Sequence, residues 1–200
     1  MPTQFPTPIN VRPSVRDPLR NFKFRVQFVD MEHANTSRLL ADTGFISVSG
    51  IGIQTDMIPY REGGDNTIVR KLPGQSDVGP LTLIGGVFAQ AESAQWEWFK
   101  QVFCIQWGQG NASFDADFRC DVIVYVLRHP VTRFARGGAD DPIANPASQA
   151  GMALRFYNCW PGAIQFNDLN AGDNSIMITN MTLHHEGFDP YFGDAARSVV

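Results

Sequence analysis

Phe22-Lys23-Phe24-Arg25-Val26-Gln27-Phe28 is the stretch that decides the fold class. Apolar and polar residues alternate along it without a break. A period of two places Phe22, Phe24, Val26 and Phe28 on one face of a strand and Lys23, Arg25 and Gln27 on the other. A strand that is buried on one side only needs a sheet beside it and a second layer below it. The rest of the chain supplies both. Strand-like runs follow near 45–48, 51–58, 67–72, 81–88, 118–127, 152–159 and 176–185, several of them rich in β-branched and aromatic residues.

Between the runs at 51–58 and 67–72 lies Tyr60-Arg61-Glu62-Gly63-Gly64-Asp65-Asn66, a polar segment with a Gly-Gly centre. It reads as the tip of a long hairpin. One helix is expected at about 92–107, where Trp96, Phe99, Val102 and Phe103 recur at three- and four-residue intervals and form an apolar face. Trp98 and Ile105 widen that face, and Gly108 suits the residue that ends a helix. The expectation is a mainly β protein with one packed helix.

Composition agrees. The chain has 200 residues, 44% hydrophobic and 18% charged, below the usual charged share of about 25%. That excludes a disordered chain. Glycine and proline number 18 and 13, which suits turn-rich β architecture. The net charge of −4 is not the basic balance of a nucleic-acid-binding domain. No apolar run is long enough to span a bilayer, and the N-terminus lacks the apolar stretch of a signal peptide, so synthesis in the cytoplasm is expected.

Residues 1–21 carry Pro2, Pro6, Pro8, Pro13 and Pro18 and read as an extended arm that orders on a partner surface. A β domain spans 22–188. Within it, 130–151 has little periodicity and reads as a surface insertion; 189–200 reads as a short tail.

No catalytic constellation stands out. The chain has no GxSxG elbow, HExxH, GxxxxGK[ST] or EF-hand pattern. Cys104, Cys120 and Cys159 have no metal-binding spacing and read as small buried hydrophobes. His184-His185-Glu186 is the most metal-like cluster, but adjacent residues on a strand point to opposite faces and cannot chelate one ion together. Asp115 and Asp117 fall short of the oxygen count calcium requires. Trp96, Trp98 and Trp107 fit core packing better than a sugar platform.

The order of motifs resembles the tail tube proteins of contractile-tailed bacteriophages and related contractile injection systems. The carrying residues are Asp17-Pro18-Leu19-Arg20-Asn21 leading into the first strand, Gly44-Phe45-Ile46-Ser47-Val48-Ser49-Gly50, Tyr60–Thr67, Val69-Arg70-Lys71-Leu72-Pro73-Gly74, Trp96-Glu97-Trp98-Phe99, Asn158-Cys159-Trp160-Pro161 and Thr182–Gly187. The resemblance covers about 17–188. Gly85 stands where the pattern often has a charged or bulky residue, and the 130–151 segment is longer than usual.

The resemblance implies a barrel-like or sandwich domain of antiparallel strands, assembled as hexameric rings that stack into a hollow tube inside a contractile sheath. The implied partners are further copies of the chain, the sheath protein, and baseplate and terminator proteins, with DNA as passing cargo. It implies a virion tail component without enzymatic activity, catalytic residues, cofactor or metal. Tyr60, Arg61, Glu62, Gly63, Gly64, Asp65 and Asn66 are the candidate contact to a neighbouring subunit, since they carry charge in a charge-poor chain. Gln54, Asp56, Arg70 and Lys71 are the candidate lining of the bore. Two other readings stand beside this one. One is a tube-initiating baseplate or tail terminator protein of the same fold. The other is a small β-sandwich binding module or hydrolase using the tryptophans and the His184–Glu186 cluster.

Overall fold

The computed structural model describes residues 18–29, 44–64, 67–87, 95–96, 98–100, 102, 118–128, 141, 145–170, 172 and 176–199. Nine strands lie among them: β1 (Phe24–Val29), β2 (Phe45–Ser49), β3 (Ile53–Tyr60), β4 (Arg70–Val78), β5 (Leu81–Gly86), β6 (Cys120–Leu127), β7 (Ala150–Phe166), β8 (Ile178–His184) and β9 (Gly187–Phe192). Every pairing between them is antiparallel.

The layers come from one long strand. The first part of β7 pairs with β6 and β9, and its last part, from Trp160, pairs with β8. One layer is therefore β1-β6-β7-β9 and the other is β7-β8-β5-β2, with β7 shared. The change of layer coincides with Asn158, whose φ of +52° is one that asparagine tolerates better than most residues. Its amide N–H donates to the Asp121 carboxylate at 3.1 Å, and its side-chain amide donates to Glu186 at 2.6 Å. Pro161 follows within the strand. It is tolerated because this half of β7 is paired on one side only among the described residues.

The main core lies between the layers. Val26 and Phe28 of β1, Val122 and Val124 of β6, and Phe156 of β7 meet Leu81, Leu83, Met181 and Leu183 of the opposite layer. The alternation expected over 22–28 is realised in its second half, where Val26 and Phe28 are buried and their neighbours are not; Phe24 is only half-buried and Phe22 is exposed. Trp98 closes the cluster. It is fully buried, its ring meets Phe28 edge-on at 5.8 Å, and its indole N–H donates to the Phe118 carbonyl at 2.7 Å.

A second cluster covers the far side of the β6–β7 layer. Ile123, Tyr125, Leu127 and Ala153 pack under Ala147, Ala196 and Val199. Tyr125 donates its hydroxyl to the Val199 carbonyl at 2.8 Å. Because β6 is buried on both faces, its sequence is a near-continuous apolar run rather than an alternating one.

Several expectations shift. Helical backbone is described at 95, 96, 98–100 and 102, inside the expected 92–107; the remainder of that range lies outside the described residues. The buried stripe is Gln95 and Trp98, with Val102 half-buried, and not the face centred on Trp96. Trp96 is 45% exposed and stacks on Phe99 at 5.7 Å. Among several large aromatics on one turn, the sandwich admits the one whose N–H finds an acceptor. β4 begins at Arg70 and runs through Pro73 and Gly74 to Val78, beyond the expected end at 72. The ladder shifts register between Thr55 and Met57, and a β-carbon on Gly74 would stand 2.9 Å from the Asp56 carbonyl oxygen. The bulge therefore requires a glycine there. The expected tail boundary at 188/189 falls inside β9, and residues 195–199 pack into the second cluster. Most of 130–151 lies outside the described residues. Its described end, the 3-10 turn Pro146–Gln149, docks Ala147 onto the chain's own β6–β7 layer.

Candidate assembly surfaces

Among the described strands, those of the hairpin β3–β4 are the least covered. All eight residues of β3 are exposed. The hairpin continues β2 and β5 past a joint at Gly50 and Gly79-Pro80. Gly50 has φ +87°, and a β-carbon there would overlap the Pro80 carbonyl. Residues 53–60, at about 3.3 Å per residue, reach roughly 25 Å.

Register sorts the two faces, since paired residues point the same way and neighbours point oppositely. Ile58 pairs with Leu72 and Tyr60 with Arg70 on one face; Met57 pairs with Pro73 and Pro59 with Lys71 on the other. Ile53, Met57, Ile58, Tyr60 and Leu72 are each about half exposed or more. A two-stranded ribbon with apolar groups open on both faces is marginal in water without a partner.

The residues singled out at the tip are placed as follows. Tyr60, Arg61, Glu62, Gly63 and Gly64 are all exposed, and Gly64 takes φ +107° at the turn. Asp65 and Asn66 lie outside the described residues. Glu62 faces Arg70 at 3.5 Å, but both side chains are open to water, so the pair adds little stability. Of the four candidate lining residues, Gln54 and Asp56 come together in a hollow with Gln75 and Asp77. Arg70 and Lys71 stand near the tip, on opposite faces. The four do not form one wall. The exposed apolar residues of the hairpin are the surface feature missed in the sequence. Ile53–Tyr60 lacks the inside-outside alternation of β1, β5 and β8, and that difference was the available clue.

A second open feature is the seam where β1 and β2, the end strands of the path through the sheet, approach each other. Phe22, Phe24, Ile46, Ile51 and Val126 line an apolar hollow there, and Phe22 and Ile46 are 59% and 63% exposed.

Near the bend in β7 stands a polar network. Arg155 donates to Asp121 through Nε at 2.9 Å, and its Nη2 lies 2.8 Å from the same oxygen. Glu186 joins Asn158 to Arg119, the latter at 3.3 Å. Tyr157 donates to Asp189 at 2.9 Å and meets the Tyr191 hydroxyl at 3.2 Å, which with the nearby carboxylate raises the Tyr157 pKa above its ordinary value. Cys120 and Cys159 are register partners, both buried thiols that form no disulfide. Burial pushes the Cys159 thiol up to about 12, the opposite of an activated nucleophile.

His184 and His185 fall on opposite sides, as the strand period requires. His184 is exposed and its ring lies tilted against Trp160 at 4.7 Å; His185 is buried and meets Phe156 edge-on at 5.0 Å. Among the described residues no group of three His, Cys, Asp or Glu is placed to hold a metal ion. No helix among them is long and apolar enough to cross a membrane.

Comparison with known proteins adds the following. No curated protein sequence matches the chain. Among solved structures, a chain of an extracellular contractile injection system, the PVC sheath–tube complex in its extended state, matches with TM-score 0.61 and 23% identity, over 90% of this chain and 95% of that one. A chain of the anti-feeding prophage tube-terminating cap matches with TM-score 0.62 and 22% identity, over 90% and 95%. A chain of the anti-feeding prophage baseplate matches with TM-score 0.61 and 19% identity, over 88% and 97%. At these identities the likeness is one of fold. The family model described as T4-like virus tail tube protein gp19 matches residues 20–189, which takes in both layers, the hairpin and the bend at Asn158. The chain belongs to the T4-like virus tail tube protein family.

Proposed function

We propose that the chain is the repeating subunit of a hollow tail tube, closing into hexameric rings that stack inside a contractile sheath and conduct DNA. The observation that carries the reading is the β3–β4 hairpin. It presents Ile58, Leu72 and Tyr60 on one face and Met57 on the other, and among the described residues nothing covers them. Such a ribbon gains stability by laying its faces against another copy, and a ring or stack of copies supplies that surface at every position. The exposed tip at 60–64 extends the same contact. The sheath, baseplate and terminator are the further partners, in keeping with the assemblies in which the similar folds occur. The work is mechanical.

The test is electron microscopy of the purified chain in negative stain. Long hollow tubes or stacked rings are expected. Replacing residues 61–64 by a short Gly-Ser turn leaves the subunit folded and stops stacking; normal tubes from that variant would refute the role of the tip. A terminating cap of the same fold has its own support in the match to the anti-feeding prophage cap, and it predicts single rings that never elongate.

A further inference from the structure

Besides the hairpin, one turn of this chain is apolar and open. It stands at the other end of the same layer. Along β5 and β8 the register runs from Leu81–Leu183 at one end to Gly86–Ile178 at the other. β2 leaves the first end at Ser49, opposite Thr82, and the chain passes into the β3–β4 hairpin. At the second end β7 stops at Phe166, paired with Thr179, and the chain turns through 167–177 into β8.

Polar bonds hold this turn in shape. The Asn167 side chain spans its neck: Oδ1 accepts from the Ile178 amide at 2.9 Å, and Nδ2 reaches the Ile176 carbonyl at 3.5 Å. The Asn167 amide donates to the Ile178 carbonyl at 3.1 Å, and the Asn170 side chain accepts from the Gly172 amide at 3.0 Å. Leu169 and Ile176 are left 83% and 76% exposed, the most open large apolar side chains among the described residues. Phe166 and Met177, also exposed, flank the turn. An apolar group held open on a braced turn marks a contact surface.

We infer that this turn is the seat for the β3–β4 hairpin of the next copy along the tube. The inference rests on the tube-subunit reading and supplies the other half of the contact made by the hairpin. Position is one reason. A stack grows where two different patches of one chain meet head-to-tail, and hairpin and turn stand at opposite ends of the layer. Chemistry is another. The hairpin face with Ile58, Leu72 and Tyr60 also carries Arg70, and the turn sets Asp168 beside Leu169. Residues 167–177 hold two carboxylates, Asp168 and Asp173, and no Lys or Arg, whereas 59–72 hold Arg61, Arg70 and Lys71 against Glu62 and Asp65. The pair of Arg70 with Glu62 is open to water, so turning Arg70 towards Asp168 costs little. Other occupants fit less well. Turn against turn brings like carboxylates together and ends at a two-fold pair. The seam hollow near β1 and β2 reaches Ile51, beside the hairpin's own base.

The test uses two variants of the full chain. Leu169→Ser/Ile176→Ser removes the seat and keeps the hairpin; Ile58→Ser/Leu72→Ser removes the hairpin face and keeps the seat. All four residues lie outside both buried clusters, so each subunit should stay folded by thermal unfolding. The seat variant should raise the concentration needed for tubes about 100-fold, since most of each side chain is still open in the free subunit. The two variants, prepared separately, are then mixed. Seats of one meet hairpins of the other, and species of twice the mass of either component, two subunits or two rings deep, are expected from the mixture alone. Tubes from the seat variant at the unsubstituted concentration overturn the inference, as does a mixture that behaves like its separate components. Should the seat variant not fold, Leu169→Cys chains are co-assembled with Tyr60→Cys or Leu72→Cys chains, each in a Cys104→Ser background, and oxidised. A cross-link between the two chains is expected in tubes and not in dissociated subunits; tubes that cross-link with neither partner overturn the inference. If the unsubstituted chain forms no tubes at all, the subunit reading fails instead.

Discussion

Replacing the cross-strand pair Ile58 and Leu72 by serine tests the hairpin directly. The two side chains share one face of the ribbon and are 53% and 49% exposed in the free subunit. Fully burying a side chain of this size contributes about 1.5–3 kcal/mol. Half of that is realised within the subunit, so an interface that covers the remainder gains about 1 kcal/mol from each residue, or about 2 kcal/mol per hairpin. At 1.4 kcal/mol per tenfold, the concentration needed for assembly should rise about 30-fold. The subunit itself should change little, because the pair touches neither buried cluster; losing one cross-strand pair costs at most about 1 kcal/mol. Sedimentation of tubes across a concentration series reads the first quantity, and thermal unfolding of unassembled subunits reads the second. Lys71→Ser, on the opposite face, is the control and should shift assembly far less. Tubes forming from the double variant at the unsubstituted concentration, with the subunit folded, would refute the claim that this face is covered in the assembly.

Three further outcomes follow from the packing. Asp121→Ala removes the carboxylate that accepts from Arg155 and from the Asn158 backbone, with side-chain exposures of only 15% and 22% for Asp121 and Arg155; denaturant unfolding should show a loss of about 2–3 kcal/mol, and less than additive loss when combined with Arg155→Leu. Trp98→Phe keeps most of the ring but loses the bond to the Phe118 carbonyl, at a cost of about 1 kcal/mol, whereas Trp98→Ala opens a core cavity and costs about 3–5 kcal/mol in the same assay. Cys159 stays a thiol at pH 8 and should be inert to thiol reagents until the protein unfolds. Its folded pKa is raised from 9.0 to about 12, so its contribution to stability is complete below pH 9 and is lost as pH climbs from 9 towards 12; Tyr125, also raised by burial, pushes the same way above pH 10. A Cys159→Ala variant should lose part of that alkaline sensitivity.

The layers were legible wherever a strand is buried on one side. β1 shows this most clearly, and β5 and β8 alternate in the same way. β6 was legible as a strand from its β-branched residues, but not as a strand buried twice, because a continuous apolar run does not say what covers each face. β9 was hidden for another reason. Gly187–Phe192 holds Pro190 and two glycine-flanked aromatics, and it becomes a strand only because β7 is long enough to offer it an edge. The helix face was misjudged because spacing alone makes Trp96 and Trp98 equivalent candidates, and only the position of the Phe118 carbonyl separates them. At the hairpin, charge drew attention to Tyr60–Asn66, while the apolar residues set among Gln54, Asp56 and Pro59 do not form a pattern until register assigns each to a face.

The joint at Gly50 and Pro80 gives the hairpin a further consequence for assembly. It ties a well-packed sheet to a ribbon that, among the described residues, has no packing of its own, so the two parts differ in how strongly they are ordered before association. Holding a residue in one backbone conformation costs about 1–2 kcal/mol, and an uncovered two-stranded ribbon recovers little of that from its own contacts. In the assembly proposed above, the ordering cost therefore falls on the association step, where the apolar faces would be covered. A free subunit meeting another free subunit must order a hairpin and form its surroundings together. A free subunit meeting a completed ring finds those surroundings already built. Elongation is favoured over initiation on this account, and a tube of such subunits starts slowly alone and quickly from a preformed ring.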